Sequence, residues 1–248
     1  NYGRYLKDLG DDESIKFAAD EFQEGLGLEE VHELYTELGH CYQLLENWDL
    51  AINNYNQGLE FRDTGDIRFH LANCLYNDIQ KNFIVDQQEL DSRIQKLEKA
   101  LFHLDVILED QPLSYESILL RADIKVELAK INLNKNWSDE SRIKKLNEIM
   151  SDFDNSITVM KLQSSLNIKN ISDKKINNEN LASILLCRGR ANLSLWGDIN
   201  LTNNDFKKAL ELNPGIKKSL KFLVNDLLPF EKNPPSSKYL KENGWSIN

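Results

Sequence analysis

The chain has 248 residues, of which 41% are hydrophobic and 28% charged, with a formal net charge of −10. That is enough apolar material for a sizeable core, in one large domain or two small ones, and it excludes a disordered chain. The longest apolar stretches, Ile118–Leu120 and Ser183–Cys187, fall far short of the roughly 18 residues a membrane span needs, so no span is expected. The opening Asn1–Tyr5 has neither a basic start nor an apolar run, and no signal peptide is expected there. Cys41, Cys74 and Cys187 are odd in number and widely spaced. This pattern fits free thiols in a reducing, cytoplasmic or nuclear compartment.

Residues 1–65 hold 15 Asp+Glu against 4 Lys+Arg, and residues 66–248 hold 25 against 26. All the net charge therefore lies in the first quarter, where it would repel nucleic acid and attract a basic partner.

Along the chain, Tyr2, Tyr5 and Leu9 supply the apolar face of an opening helix, and Ala18, Phe22 and Gly25-Leu26 mark a second one. The clearest unit runs from Leu34 to Phe61. Tyr35, Leu38, Tyr42 and Leu45 recur at helical spacing, with Gly39 as a small surface for close approach. Asn47-Trp48-Asp49 interrupts, and Ala51, Tyr55 and Gly58-Leu59 mark a helix that packs back on the first. Ala18 precedes Ala51 by 33 residues, one period. Downstream, Leu71-Ala72 and Leu75 pair with Ala100, Leu104 and Ile107-Leu108, at a spacing of 49 from Ala51. The additional residues are expected around Lys81 to Asp91, in the hairpin turn or as longer helices.

A weaker fourth unit contains Ile118, Arg121-Ala122, Phe153 and Ser156-Ile157, with an insertion at 132–141. Residues 161–180 are rich in Asn and Lys and lack sustained periodicity, which predicts a mobile loop. Leu185, Arg188-Gly189 and Leu195 open a fifth unit, which closes with Asp205 to Pro214. Residues 216–228 are amphipathic and predict a capping helix, and 229–248 form an aromatic tail expected to fold back.

Tyr35, Leu38-Gly39, Tyr42, Ala51, Tyr55 and Gly58-Leu59, in that order, resemble the signature of the tetratricopeptide repeat family. The resemblance implies an all-α, right-handed superhelical α-solenoid of about five helical hairpins with a C-terminal cap. One domain over 1–228 is expected, with repeats near 1–31, 32–64, 65–112, 113–161 and 181–215.

Catalytic chemistry is not visible in the residue pattern. His32 and His40 stand two turns apart on one helix, about 12 Å at the usual rise, too far to share an ion. Position 36 is Thr, where the helical zinc motif needs His. Neither a metal site nor a cofactor is expected. The cysteines lack partners at metal or redox spacing, and Cys41 and Cys74 occupy one register position of two repeats, as buried packing residues would. There is no Gly-rich phosphate loop and no Gly-x-Ser-x-Gly elbow, so no enzyme is expected. Arg188, Arg190, Lys207 and Lys208 could meet an anion but read better as a solvated face. The Asn-x-Ser/Thr sequons at Asn136, Asn170, Asn192 and Asn200 are explained by the abundance of Asn.

The resemblance implies that the first helix of each repeat lines a groove that binds a partner segment. Carried over residue by residue, that groove consists of Glu33, Thr36, His40 and Gln43, then Phe69, Asn73, Tyr76 and Asn77, then Asp123, Glu127 and Arg190. A subgroup of the family clamps the terminal carboxylate of heat-shock chaperones with Lys and Asn four residues apart. The matching positions here are Thr36 and His40, which argues against that clamp. The expectation is an adaptor or dedicated assembly chaperone for a basic protein or peptide, with no nucleic acid and no membrane span. A structural scaffold subunit is the alternative.

Overall fold

The computed structural model of the chain describes residues 2–28, 31–81, 86–133, 139–167, 171–195 and 198–216. Among them are ten α-helices: α1 (Tyr2–Leu9), α2 (Asp12–Leu26), α3 (His32–Leu44), α4 (Trp48–Phe61), α5 (Gly65–Lys81), α6 (Gln87–Asp110), α7 (Tyr115–Leu133), α8 (Asp139–Asn167), α9 (Ile171–Ser194) and α10 (Ile199–Leu212). A short 3₁₀ turn, Pro214–Ile216, follows. The fold is all-α and built of helical hairpins.

The starts and stops follow local chemistry. Asp11, Asn47, Asp86 and Asp198 cap α2, α4, α6 and α10, each side chain accepting from a backbone N–H within the first turn. Gly10 takes φ +79°, the left-handed conformation that lets the chain reverse within a few residues after α1. The hairpin turn between α3 and α4 places Glu46 at φ 54°, with the Asn47 N–H bonded back to the Tyr42 carbonyl at 2.8 Å.

The chain forms two compact units that divide after Pro112. In the first, α1 to α6 pack each on the next, and α3 and α5 also touch. One core of this unit joins Leu6, Ile15, Ala18, Phe22, Leu26, Leu38 and Cys41. In the second, α7 to α10 pack sequentially and α7 also touches α9. Its core includes Ala122, Ile149, Phe153, Ala182, Leu185, Phe206 and Ala209.

One contact sets the close approach of paired helices. A Cβ on Gly39 would lie 2.7 Å from the Tyr55 ring, one on Gly189 2.7 Å from the Phe206 ring, and one on Gly3 3.0 Å from the Phe22 ring. A bare backbone on the first helix thus receives an aromatic ring from the second in three hairpins. In the opening hairpin this overturns the sequence reading. The buried residues of α1 are Gly3 and Leu6, while Tyr2, Tyr5 and Leu9 are more than half exposed.

The expected loop over 161–180 is also corrected. Residues 161–167 continue α8 and 171–180 open α9, while 168–170 lie outside the described residues. These polar turns are held by tertiary bonds: Gln163 Nε2 donates to the Leu113 carbonyl at 2.8 Å and Asn180 Nδ2 to Tyr115 Oη at 3.1 Å. Of the insertions near 81–91 and 132–141, residues 87–91 open α6, 132–133 end α7 and 139–141 open α8, while 82–85 and 134–138 lie outside the described residues. The expected cap beyond Ile216 and the tail 229–248 lie outside the described residues. Asn192, one of the sequons, is buried with its amide donating to Thr202 Oγ1 at 3.0 Å, which closes it to glycosylation.

Candidate functional site

In the first unit the expected groove residues of α3 and α5 come together as a connected polar face. Gln43 is its centre. Its Nε2 donates to Asn73 Oδ1 at 3.3 Å, and its Oε1 accepts from Tyr55 Oη at 2.8 Å and lies 3.2 Å from His70 Nδ1. Asn77 Nδ2 donates to the same Asn73 Oδ1 at 2.9 Å. A chain of side-chain amides therefore runs across the two helices. Phe69 and Tyr76 flank it, both partly exposed. Tyr55 is buried beneath it, and burial raises its phenol well above the ordinary range.

The other α3 residues are placed differently. The Thr36 hydroxyl donates to the His32 carbonyl at 2.8 Å. It also sits where a Cβ on Gly58 would find it at 3.6 Å, so it packs toward α4. Glu33 is exposed and pairs with His32 Nδ1 at 2.8 Å. Glu37 joins α3 to α1 through Arg4 Nε at 2.6 Å and through Lys7. His40, together with those two cations, holds the Glu37 carboxyl far below the usual carboxylate range against the opposing effect of burial.

His40 itself meets residues outside the expected set. Its ring centroid lies 4.4 Å from that of His70 and 5.7 Å from that of Tyr55. His70 Nε2 lies 3.6 Å from Asp66 Oδ1, one turn earlier on α5. Burial, then the neighbouring His40, lowers the His70 pKa to about 4. The sequence reading weighed metal binding only within one helix and so missed His70 and Asp66. The signal was present: Asp66 and His70 follow Glu33 and Glu37 by 33 residues, one repeat period, on the same helix face.

In the second unit the α7–α9 face brings Asp123, Glu127 and Arg190 together, but as a charged cluster. Lys130 Nζ donates to Glu127 Oε1 at 2.7 Å, and Arg190 Nη2 lies 4.0 Å from the same oxygen. Asp123 is hydrogen-bonded to the Cys187 thiol, and burial pushes its carboxyl up to about 7, with Arg190 opposing and Glu127 reinforcing the shift. Burial raises Cys41 to about 11, Cys74 to about 12 and Cys187 further still, so none is a thiolate at neutral pH. Arg188, considered from sequence as an anion contact, is occupied. Its Nε and Nη2 donate to Asp205 at 2.8 and 2.5 Å, and its Nη1 donates to Asp154.

A denser run of exposed acids lies on α2. On α2, Asp12, Glu13, Asp20, Glu21 and Glu24 are all exposed, against one base, Lys16. Helix α2 thus presents a run of exposed acids with a net charge of −4, apart from the amide centre of the α3–α5 face. Among the described residues, no helix is long and apolar enough to cross a membrane.

No protein-family model matches the chain, and no curated protein does. Among solved structures it is similar to TTC0263, a thermophilic TPR protein of Thermus thermophilus. The TM-score is 0.59 at 15% identity, covering 91% of this chain and 95% of that one. It is also similar to human IFIT1, solved as a dimer with PPP-AAAA, with a TM-score of 0.42 at 12% identity over 85% of this chain and 53% of that one. For yeast Tom70 the TM-score is 0.28 at 15% identity, over 98% and 55% of the two chains.

Proposed function

From the tetratricopeptide-type helical-repeat fold that the Thermus likeness shows, we propose that the chain is a protein-interaction module that holds an extended partner segment on the α3–α5 face. The carrying observation is the Gln43–Asn73–Asn77 amide chain, flanked by the partly exposed Phe69 and Tyr76. Amides offer both donors and acceptors to a peptide backbone, and aromatic rings supply apolar anchors at low entropy cost. The partner is basic, drawn in by the exposed acids of α2. The role is that of an adaptor or dedicated assembly chaperone in the cytoplasm or nucleus, and not of an enzyme. The absence of Lys at position 36 and of Asn at position 40 argues against a chaperone-carboxylate clamp.

The scaffold reading has its own support in Tyr2 (61% exposed), Tyr5 (60%), Leu9 (52%) and Phe17 (56%), apolar surface on the first hairpin that a neighbouring subunit would cover. The deciding experiment is capture of partners from native lysate by the full chain at low and high salt, repeated with Asn73→Ala/Asn77→Ala and with Glu21→Lys/Glu24→Lys. A basic partner lost at high salt and lost with either variant supports the adaptor. A salt-resistant assembly unaffected by both variants, but lost with Tyr5→Ser, refutes it in favour of the scaffold.

A further inference from the structure

Between α3 and α5, one ring nitrogen from each of His40 and His70 and a carboxylate oxygen of Asp66 lie within 4.8 Å of one another. Tetrahedral zinc with ligands at about 2.0–2.2 Å places its donor atoms a little over 3 Å apart. The triad therefore needs to close by an ångström or so. The Asp66 side chain is 69% exposed and has room to swing.

The hydrogen bonding orients both rings for this. His70 Nδ1 faces Gln43 Oε1 at 3.2 Å, and that oxygen is fixed as an acceptor because the other end of the amide donates to Asn73. His70 therefore carries its proton on Nδ1 and its lone pair on Nε2, the atom 3.6 Å from Asp66 Oδ1. His40 Nδ1 lies 3.9 Å from Glu37 Oε2. A proton on that nitrogen leaves the His40 lone pair on Nε2, which is buried and has no hydrogen-bond partner among the described residues. His70 is thus backed by an acceptor on its far side, the arrangement that outer partners give to metal-bound histidines, and His40 has the Glu37 carboxylate near its own far nitrogen. A buried nitrogen without a partner is destabilising unless something occupies its lone pair.

We propose that His40, His70 and Asp66 bind a zinc-class divalent cation. Two imidazoles and one carboxylate favour Zn²⁺, Co²⁺ or Ni²⁺ over Mg²⁺ or Ca²⁺, which prefer all-oxygen sites. Three protein ligands leave a fourth position for water or for a side chain of a bound partner. The ion also joins the first helices of two consecutive repeats, so its binding stiffens that face. The inference stands on the triad's geometry and does not depend on the peptide-binding reading.

The test is calorimetric titration of the metal-stripped full chain with Zn²⁺, alongside the visible spectrum with Co²⁺. One ion per chain is expected, together with the intense absorption bands of four-coordinate Co²⁺. Asp66→Asn, at an exposed position that folding does not need, and His70→Ala should each weaken Zn²⁺ binding by at least about tenfold. His32→Ala should leave it unchanged. Circular dichroism confirms that each variant is folded, and Asp66→Asn carries the test if His70→Ala is not. Absence of binding by the parent chain overturns the proposal. So does undiminished binding by Asp66→Asn, or loss of binding with His32→Ala.

Discussion

Replacing Gly39 and Gly58 with Ala, one at a time, should move stability in opposite directions, although both sit in helices of the same hairpin. Gly→Ala in a helix interior gains about 1 kcal/mol in propensity. At Gly58 the new Cβ meets Ile67, Thr36 and Tyr35 at 3.5–3.6 Å, ordinary contact, so a stabilisation of about 0.5–1 kcal/mol survives. At Gly39 it falls 2.7, 2.9 and 2.9 Å from three atoms of the Tyr55 ring. That ring is fully buried and tied through its hydroxyl to Gln43, so it cannot yield without disturbing the amide chain. Overpacking of about 1–3 kcal/mol, in its upper part for so close a contact, outweighs the propensity gain. The net loss is about 1–2 kcal/mol, and the two variants should differ by about 2–3 kcal/mol. In urea unfolding of the full chain, followed by far-ultraviolet circular dichroism, that is a separation of about 1 M between midpoints. Gly189→Ala, facing Phe206 at 2.7 Å, should behave as Gly39→Ala does. Equal shifts in one direction at Gly39 and Gly58 would refute the ring-on-glycine account of hairpin packing.

Asp123→Asn tests the half-buried carboxyl beside Arg190, Glu127, Lys130 and Cys187. With a folded pKa of about 7 against about 4 unfolded, the native state holds a proton that the unfolded chain has released. The contribution of Asp123 to wild-type stability should therefore fall from pH 4 to 7 and level off above, against the opposite slope of His70 and His103, whose pKa values burial lowers to about 4. The advantage of the Asn variant should grow over that window by about 2–4 kcal/mol, and a flat difference between the two urea-derived stability curves would contradict it. Arg188→Ala strands Asp205, whose side chain is 3% exposed, and should cost about 3–5 kcal/mol in thermal or urea unfolding. Adding Asp205→Asn should recover most of that loss, and an unrecovered double variant would show that Arg188 acts through something else. Asn47→Ala removes the side chain that caps α4 at Leu50 and should cost about 1 kcal/mol by the same measurement.

The hairpins were legible where small residue, aromatic and second small residue recur in order, as at Gly39, Tyr55 and Gly58. They were misread where two faces of one short helix compete. On α1 the aromatic stripe Tyr2, Tyr5 and Leu9 has the period of a core face, yet Gly3 supplies the packing surface through its contact with Phe22. A glycine carries no hydrophobic signal, so periodicity cannot find it; only its role opposite the ring of the second helix does. Residues 161–180 failed for the reverse reason. Their helices are polar, and what holds them is bonding from Gln163 and Asn180 to the start of α7, about 50 and 65 residues away in sequence. The α3–α5 face was legible one helix at a time. Its centre was not, because Gln43, His40, His70 and Asp66 converge only when two repeats stack.

The two chemistries of the first unit divide recognition between them. At the centre of the α3–α5 face, Gln43, Asn73 and Asn77 are bonded to one another and burial lowers the His70 pKa to about 4, so that centre carries dipoles and not charge. Dipoles fall off within a few ångströms and respond little to salt, so they act after contact, on how long a partner stays. The exposed carboxylates of α2 act over about a Debye length, before contact, and are screened at high salt. Charge reversal on α2 should therefore change the association rate and its salt dependence, whereas loss of Asn73 and Asn77 should change the dissociation rate. A partner held by the α2 charges alone would show the opposite, with dissociation steeply dependent on salt and indifferent to the amides. Glu21 and Glu24 stand on α2, and Asn73 and Asn77 on α5, so one helix can steer while the other holds.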